Sequence, residues 1–555
     1  MNYYHQLNCY FCRMFNYLVV ISILIFCFAC QNENKIFQAR TPKYNENFVQ
    51  LKNNQFYLKN EVFYPLMINY VACIRKLNDK FVVSPIREYD DPTYFEGSDV
   101  DSVLHNLKGH LTLIKELGFN SIRLVFRTGL NRFIEKQFID FYDNQNLQKI
   151  PLEGNEQILI DCAKQFLDIA DSLGLKVMYL IEPPIDQAQI KNFTKKLLST
   201  FRERNVIYAY DFFNEPLYFD NENKPSDQKN RSKKDAYSIV SKWHEWVREY
   251  APYHLFTIGF AEPIEVFEWD PSILPVDFIQ IHSYHPLRYP NEIAWYCSYM
   301  NKPILIGETS LPADNDSITY EEQRQFMIDA FRYARDFGCI GFGWWQFQEV
   351  QWGNYEHDFT ALINHKGTTQ TKDGNFIIKG SLKPAAYEVK NLLSYKPSDK
   401  IKNNKWVNYY NMLGYQNIVL KGKIVEAGSN KPIEGAVIRG WTEWWDIAAN
   451  TYTDSSGNFT LYSNKEFIHF QVSAPGKETL FFDYKTQYKP NFDNPIPWDK
   501  LPHQQLEYHK ISYQPFLNKD TTGAIYKTFH FNPELFNKAQ YQGQMNTLVL
   551  KKAEW

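Results

Sequence analysis

Between residues 62 and 395, short and almost continuously apolar runs alternate with stretches in which apolar residues recur every three or four positions. That alternation predicts repeated strand–helix units feeding a mainly parallel sheet. The runs are Val62–Tyr70, Phe119–Phe126, Lys176–Pro183, Val206–Phe213, Leu255–Phe260, Asp277–Tyr284, Pro303–Ser310 and Ile340–Phe347. Their lack of polar alternation predicts strands covered on both faces, and eight is the number that closes a (β/α)8, or TIM, barrel. Ile158, Cys162, Phe166, Ile169 and Leu173 mark one intervening helix that stops at Gly174; Phe326, Ala330, Tyr333 and Phe337 mark another that stops at Gly338. A closing helix near Leu382 ends at Lys396-Pro397-Ser398. The fifth strand and its helix are the least regular part, because Glu262–Pro275 is short and interrupted by proline.

After residue 396 the texture changes. Alternating strands from Ile418 to Tyr484 are punctuated by Gly428-Ser429-Asn430, Asp454-Ser455-Ser456-Gly457 and Pro475-Gly476, which predicts a smaller all-β sandwich. The expected organisation is a leader over 1–29, a linker over 30–55, an α/β barrel over 56–396, a second linker over 397–416 and the β module over 417–555. Trp441, Trp444 and Trp445 either form a stacking platform or pack against the barrel.

Composition narrows the class. With 555 residues, 44% hydrophobic and 17% aromatic, the chain is too apolar for disorder and too long for one core. Its net charge of -3 offers no basic footprint for nucleic acid. Arg13 precedes the apolar run Tyr17–Phe28, too short for a comfortable membrane span, which reads as a cleaved export signal. Ala29-Cys30 resembles a bacterial lipobox and implies lipidation of Cys30, so contact with a membrane is expected only through that anchor and the expected location is secreted or at the bacterial cell surface. Simple secretion is the alternative. Cys73, Cys162, Cys297 and Cys339 are too dispersed for a disulfide framework or a zinc site, and no H-E-x-x-H occurs. Neither a metal nor a cofactor is expected.

In such a barrel the functional side chains stand at the C-terminal ends of strands. Asn214-Glu215 ends the fourth, Glu308 the seventh, His282 and Tyr284 the sixth, Arg123 lies near the end of the second, and Trp344-Trp345 occupy the eighth. Two carboxylates facing one another over a pocket suit glycosidic bond cleavage, one donating a proton while the other attacks or activates water. Arg123 and Tyr284 are expected to hold Glu308 ionised, leaving Glu215 as the acid of raised pKa. Pro216 is expected to keep Glu215 extended. His282 is either a structural histidine or a substrate contact. Strand alternation admits only one of Trp344 and Trp345 to the pocket. The acids Glu182, Asp186 and Glu356 read as solvated loop residues.

The segments YAYDFFNEP, FIQIHSYHP, PILIGETS and GFGWWQF, in that order, resemble the clan A glycoside hydrolases and, among them, the cellulase-like family 5. The resemblance spans the barrel and implies a retaining mechanism on a β-linked glucan or mannan type of carbohydrate. It implies Glu215 as acid/base, Glu308 as nucleophile, Asn214 as reader of the sugar 2-hydroxyl, Tyr284 as partner of the nucleophile, Trp344 or Trp345 as a stacking floor, and Arg123 as the strand-two arginine. The third strand ends LIEPP, without the histidine usual in family 5, which ties the chain to the clan more closely than to that family. Within the β module, VLKGKIVEAGSNKPIEGAVIRG, TYTDSSGNFTL and VSAPGKETL resemble the carboxypeptidase regulatory-like domain. A non-catalytic glycan-binding protein built on an enzyme-like barrel is the alternative reading.

Overall fold

The computed structural model describes residues 39–86, 97–126, 138–143, 146–181, 188–220, 222, 230–284, 288–313, 318–350, 359–364, 368–370, 377–398, 418–443, 448–463, 466–484 and 541–555. The leader, Cys30, Glu182, Asp186, Glu356, Trp444 and Trp445 lie outside the described residues.

Strands β1 (Gln50–Lys52), β2 (Gln55–Leu58) and β3 (Glu61–Val62) form a small antiparallel sheet. β4 (Leu66–Leu77) is long: its inner half pairs in parallel with β6 (Ser121–Phe126), and its outer half pairs antiparallel with β5 (Lys80–Pro85). The tip of β4 also meets β7 (Phe138–Asp143), itself in a hairpin with β8 (Asn146–Pro151). The parallel ladder continues from β6 through β9 (Lys176–Leu180), β10 (Ile207–Asn214), β11 (Leu255–Phe260), β12 (Ile279–His282), β13 (Ile304–Glu308) and β14 (Phe342–Trp344), and β14 pairs back onto β4. The fold is therefore a closed eight-stranded parallel barrel, and each of the eight apolar runs supplies one stave.

Helices α1 (Val100–Leu117), α2 (Glu156–Ser172), α3 (Ala188–Thr200), a single turn α4 (Pro216–Phe219), α5 (Lys233–Tyr250), α6 (Arg288–Tyr299), α7 (Tyr320–Asp336) and α8 (Pro384–Leu392) cover the barrel. After β11 the chain makes only a 3-10 turn, Pro263–Phe267, as the prolines foreshadow. Phe166, Trp243, Phe326 and Val389 anchor helices in one continuous outer core with the outward faces of the strands.

Inside the barrel the side chains are layered. Met67, Met178, Tyr208, Phe278 and Leu305 form an apolar bottom layer, closed from below by Val49, just ahead of β1, and Phe56 of β2. Phe56 meets Tyr208 and Phe278 edge-on, while Phe48 packs on Tyr253 and His254 ahead of β11. The compact unit around the barrel thus starts before residue 56: residues assigned to the linker close the floor. Above this layer the interior turns polar.

Beyond the barrel, β17 (Ile418–Glu426), β18 (Val437–Trp441), β19 (Ala448–Tyr452), β20 (Asn458–Ser463), β21 (His469–Ser473), β22 (Leu480–Asp483), β23 (Tyr541–Gln544) and β24 (Leu548–Leu550) form two sheets, β20-β17-β23 with β24, and β19-β18-β21-β22. The hairpin β15 (Thr368–Gln370) and β16 (Ile377–Lys379) lies between barrel and module in sequence. Leu420, Ile438, Phe459, Phe470 and Val472 fill the space between the sheets. Trp441 is 1% exposed, against His469 and Phe481, so it presents no open stacking platform.

The module joins the barrel through buried polar contacts. Lys233 Nζ pairs with Asp270 at 2.8 Å and donates to Ser473 Oγ at 2.9 Å, Gly476 N–H donates to Asp270 at 2.8 Å, and Trp295 Nε1–H donates to Gly435 O at 2.9 Å. Gln471 donates to Glu268 Oε1 at 2.6 Å. Burial pushes Glu268 up to about 8, against the bond from Gln471 and the attraction of Arg439 and Lys233. The folded state then holds a proton that the unfolded chain, at an ordinary 4.5, releases. Stability from this group is therefore lost as pH rises from about 4.5 through about 8. The melting temperature of Glu268→Gln relative to the parent should rise across that window; a difference that stays flat with pH would show that the interface does not protonate Glu268.

Candidate active site

Two irregularities in the ladder bring the site together. Between β10 and β11 the register runs from Asp211↔Thr257 to Asn214↔Gly259, so β10 carries one extra residue. Phe212 and Phe213 both face the outer core against Trp243, the first tilted and the second stacked, and Asn214 returns to the interior beyond Asp211. Between β12 and β13 the register runs from Ile281↔Ile306 to His282↔Glu308, which sets Gly307 as the extra residue and brings Glu308 opposite His282. Gly307 has a second use: a methyl there would overlap Gln280 Cγ and Cδ, so glycine makes room for that side chain inside the barrel.

Arg123 lies at the centre, fully buried. Its Nε–H donates to Asp211 at 2.9 Å, one terminal nitrogen donates to Asn69 Oδ1 at 3.0 Å and to Glu308, and the other donates to Asn214 Oδ1 at 2.9 Å and pairs with Asp211 at 2.8 Å. Five contacts match the five N–H groups of a guanidinium. Arg123 therefore stands beneath the carboxylates as the group that positions them, in keeping with its expected contact to Glu308.

A second chain of bonds reaches the other carboxylate. Gln280 Nε2 lies 2.9 Å from both Asp211 Oδ2 and His282 Nε2, and His282 Nδ1 lies 2.9 Å from Glu215 Oε1. Burial lowers the pKa of His282 to about 4, so the ring is neutral near pH 7. The consistent arrangement has the Gln280 amide donating to Asp211 and to Nε2, and Nδ1–H donating to Glu215. His282 thus resolves as a positioning histidine, 2% exposed with both nitrogens engaged.

Glu308 accepts from Arg123 and from the Tyr284 hydroxyl. Its pKa is nevertheless raised: burial outweighs His282, Arg123 and Tyr284, and the charge of Glu215 adds to the rise. Arg123 and Tyr284 act in the expected direction, but burial outweighs them, because the pocket that supplies Arg123 also strips the carboxylate of water. Glu215 departs from the extended backbone expected ahead of proline. It sits at φ 48°, ψ 69°, with its N–H donating to Gly259 O at 2.7 Å and its C=O accepting from Tyr218 and Phe219 at 3.0 and 3.1 Å. The chain must leave the strand and start α4 at this residue, and a left-handed turn does so at a cost of about 1–3 kcal/mol.

Glu215, His282 and Glu308 each present a donor atom within 4.8 Å of the others. Such a trio resembles a cation site, but Glu308 already faces the Arg123 guanidinium and His282 Nδ1 is committed to Glu215. Carboxyls this close suit direct attack by one of them; the inverting geometry needs about 6.5–9.5 Å to admit a water. Of the tryptophan pair, Trp344 is fully buried toward α7, ringed by Phe326 and donating to Thr360 O at 3.0 Å. Trp345 is half-buried among Val71, Val125 and Leu180 at the strand ends, on the mouth side.

Asn69, Asp211 and Gln280 escaped the reading of the sequence. Their signal was present: each is a hydrogen-bonding side chain with apolar residues on both sides, at an inward position of a strand run.

No family model matches the chain, and no curated protein matches it. Among solved structures it is similar to β-glucuronidase 2 of Bacteroides uniformis, at 12% identity over 79% of this chain and 48% of that one, with a TM-score of 0.39. The chain thus spans about half the length of that protein. It is also similar to an endo-1,4-β-mannanase from Eisenia fetida, at 16% identity, 57% and 91% coverage and a TM-score of 0.35. A family 5 mannosidase from Rhizomucor miehei gives 12% identity, 63% and 98% coverage and a TM-score of 0.37. At these scores the chemistry rests on the site's own geometry.

Proposed function

We propose that this protein is a retaining β-glycosidase acting on a β-linked glucan or mannan type of polysaccharide or oligosaccharide. The observation that carries the reading is the pair Glu215 and Glu308, with carboxylate oxygens within 4.8 Å at the mouth of the barrel. Glu308 attacks the anomeric carbon while Glu215 gives its proton to the departing oxygen; Glu215 then deprotonates the water that releases the sugar from Glu308. Tyr284 and Arg123 hold the attacking carboxylate in line, and the neutral His282 orients Glu215. Asn214 and Trp345 are the proposed sugar contacts, one at the 2-hydroxyl and one as a stacking face. We further propose that the protein is exported and held at the cell surface by a lipid on Cys30, as the leader implies.

The test is turnover of β-glucans, β-mannans and aryl β-glycosides by the parent and by Glu308→Gln, with product sizing. Release by the parent alone supports the reading. Binding without release by either protein favours a glycan-binding barrel. Gly307→Ala probes the inner network: its methyl displaces Gln280 and, through it, His282 and Glu215. A loss of about 10²-fold in kcat/KM is expected, with about 1–3 kcal/mol of lost stability from overpacking. Unchanged kinetics would detach the Asp211–Gln280–His282 chain from activity.

A further inference from the structure

Glu215 occupies the N-cap position of α4, yet its side chain makes no capping bond, and Pro216 behind it has no N–H to offer. The first amide of this turn that needs a partner is Leu217 N–H. A side-chain oxygen at the N-cap ordinarily takes such a proton, and a carboxylate so engaged would be turned away from the mouth. Here the bond is made from elsewhere. Glu265, on the 3-10 turn after β11, is fully buried, and its Oε1 accepts from Leu217 N–H at 3.0 Å and from Ala261 N–H at 3.2 Å. Ala261 follows directly on β11, and the Gly259 carbonyl of that strand accepts the N–H of Glu215. Glu265 thus joins the end of the fifth strand to the turn that carries Glu215. Its Oε2 is buried without a hydrogen-bond partner.

We propose that Glu265 is a positioning residue for Glu215: it caps α4 in place of Glu215, holds the left-handed turn, and so keeps the Glu215 carboxyl aimed at His282 and the glycosidic oxygen. This rests on the reading of Glu215 as acid/base. The groups facing Glu265 are Glu215, Glu268 on its own turn, and Tyr296 of α6. Burial, reinforced by Glu268 and Glu215, raises its pKa well above the ordinary value, which favours the neutral acid with its proton on Oε2. A neutral acid offers one carbonyl oxygen to both amides, and glutamine at the same position offers the same oxygen.

The experiment compares the parent, Glu265→Gln and Glu265→Leu in the full chain, by two readouts. The first is hydrogen exchange of the Leu217 amide, which does not depend on turnover. It is expected to stay protected in the parent and in Glu265→Gln and to exchange rapidly in Glu265→Leu, with the rest of the barrel still protected. Unchanged protection in Glu265→Leu overturns the proposal whatever the activity. The second is kcat/KM on aryl β-glycosides of graded leaving-group acidity. Glu265→Leu is expected to lose about 10²-fold on poor leaving groups and little on a dinitrophenyl glycoside, with Glu265→Gln close to the parent throughout. A loss equal on all leaving groups, or one shared by Glu265→Gln, overturns the link to Glu215. A parent that turns over nothing counts against the glycosidase reading, and the exchange result then still decides whether Glu265 holds the turn.

Discussion

Glu308→Gln is expected to lower kcat by about 10⁴-fold or more while leaving carbohydrate affinity in place, because the amide keeps the shape of the side chain and loses the electron pair that attacks. The fold should survive: Arg123 keeps Asp211, Asn69 and Asn214 as partners when Glu308 loses its charge. Rates on an aryl glycoside and calorimetric binding of an oligosaccharide check the two halves separately. The parent carries a further signature. Glu308 must be ionised to attack, and burial raises its pKa above 4.5, so the acid limb of kcat/KM should lie above that value, with activity falling as pH falls through it. A variant with a tenth of the parent's kcat would remove Glu308 from the role of nucleophile.

The second large effect belongs to Glu215→Ala. Its loss should depend on the substrate: about 10²–10⁴-fold where the leaving oxygen needs a proton, and little in the first step where the leaving group is a stable anion. The sugar should then accumulate on Glu308, and added azide, which needs no base, should restore turnover and yield a β-glycosyl azide. Product NMR reads the anomeric configuration. A uniform loss across leaving groups, with no azide product, would show that Glu215 is not the acid/base. Carboxylate oxygens within 4.8 Å of each other predict retention, and an azide of inverted configuration would contradict it.

Much of the barrel was legible because strands buried on both faces lose polar alternation, and all eight runs coincide with staves. Their ends were less so. β4 was expected to stop at Tyr70 but continues to Leu77, through buried Val71–Ile74 and on into a pairing with β5 outside the barrel. Of the small sheet, β1 and the start of β2 fall in the expected linker; its strands are two to four residues long, and its clues are the turns Asn53-Asn54 and Lys59-Asn60, all four at positive φ. The glutamates were legible from their place at strand ends. That Glu308 faces inward depends on the extra residue at Gly307, and register shifts leave no periodic trace in a sequence. The upward push on Glu308 was hidden for a related reason: a motif shows which charges are near but not how much water is excluded. Asn69, Asp211 and Gln280 were within reach by asking what pays for burying Arg123.

The small sheet plugs the barrel at the end where its strands begin. The polypeptide approaches through Lys43, bonded to Pro252 O, and Phe48, packed beside the start of β11, so it arrives at the pole opposite the catalytic mouth. Under the proposed lipid anchor, the chain would therefore join the barrel at its floor, at the opposite ends of the staves from Glu215 and Glu308.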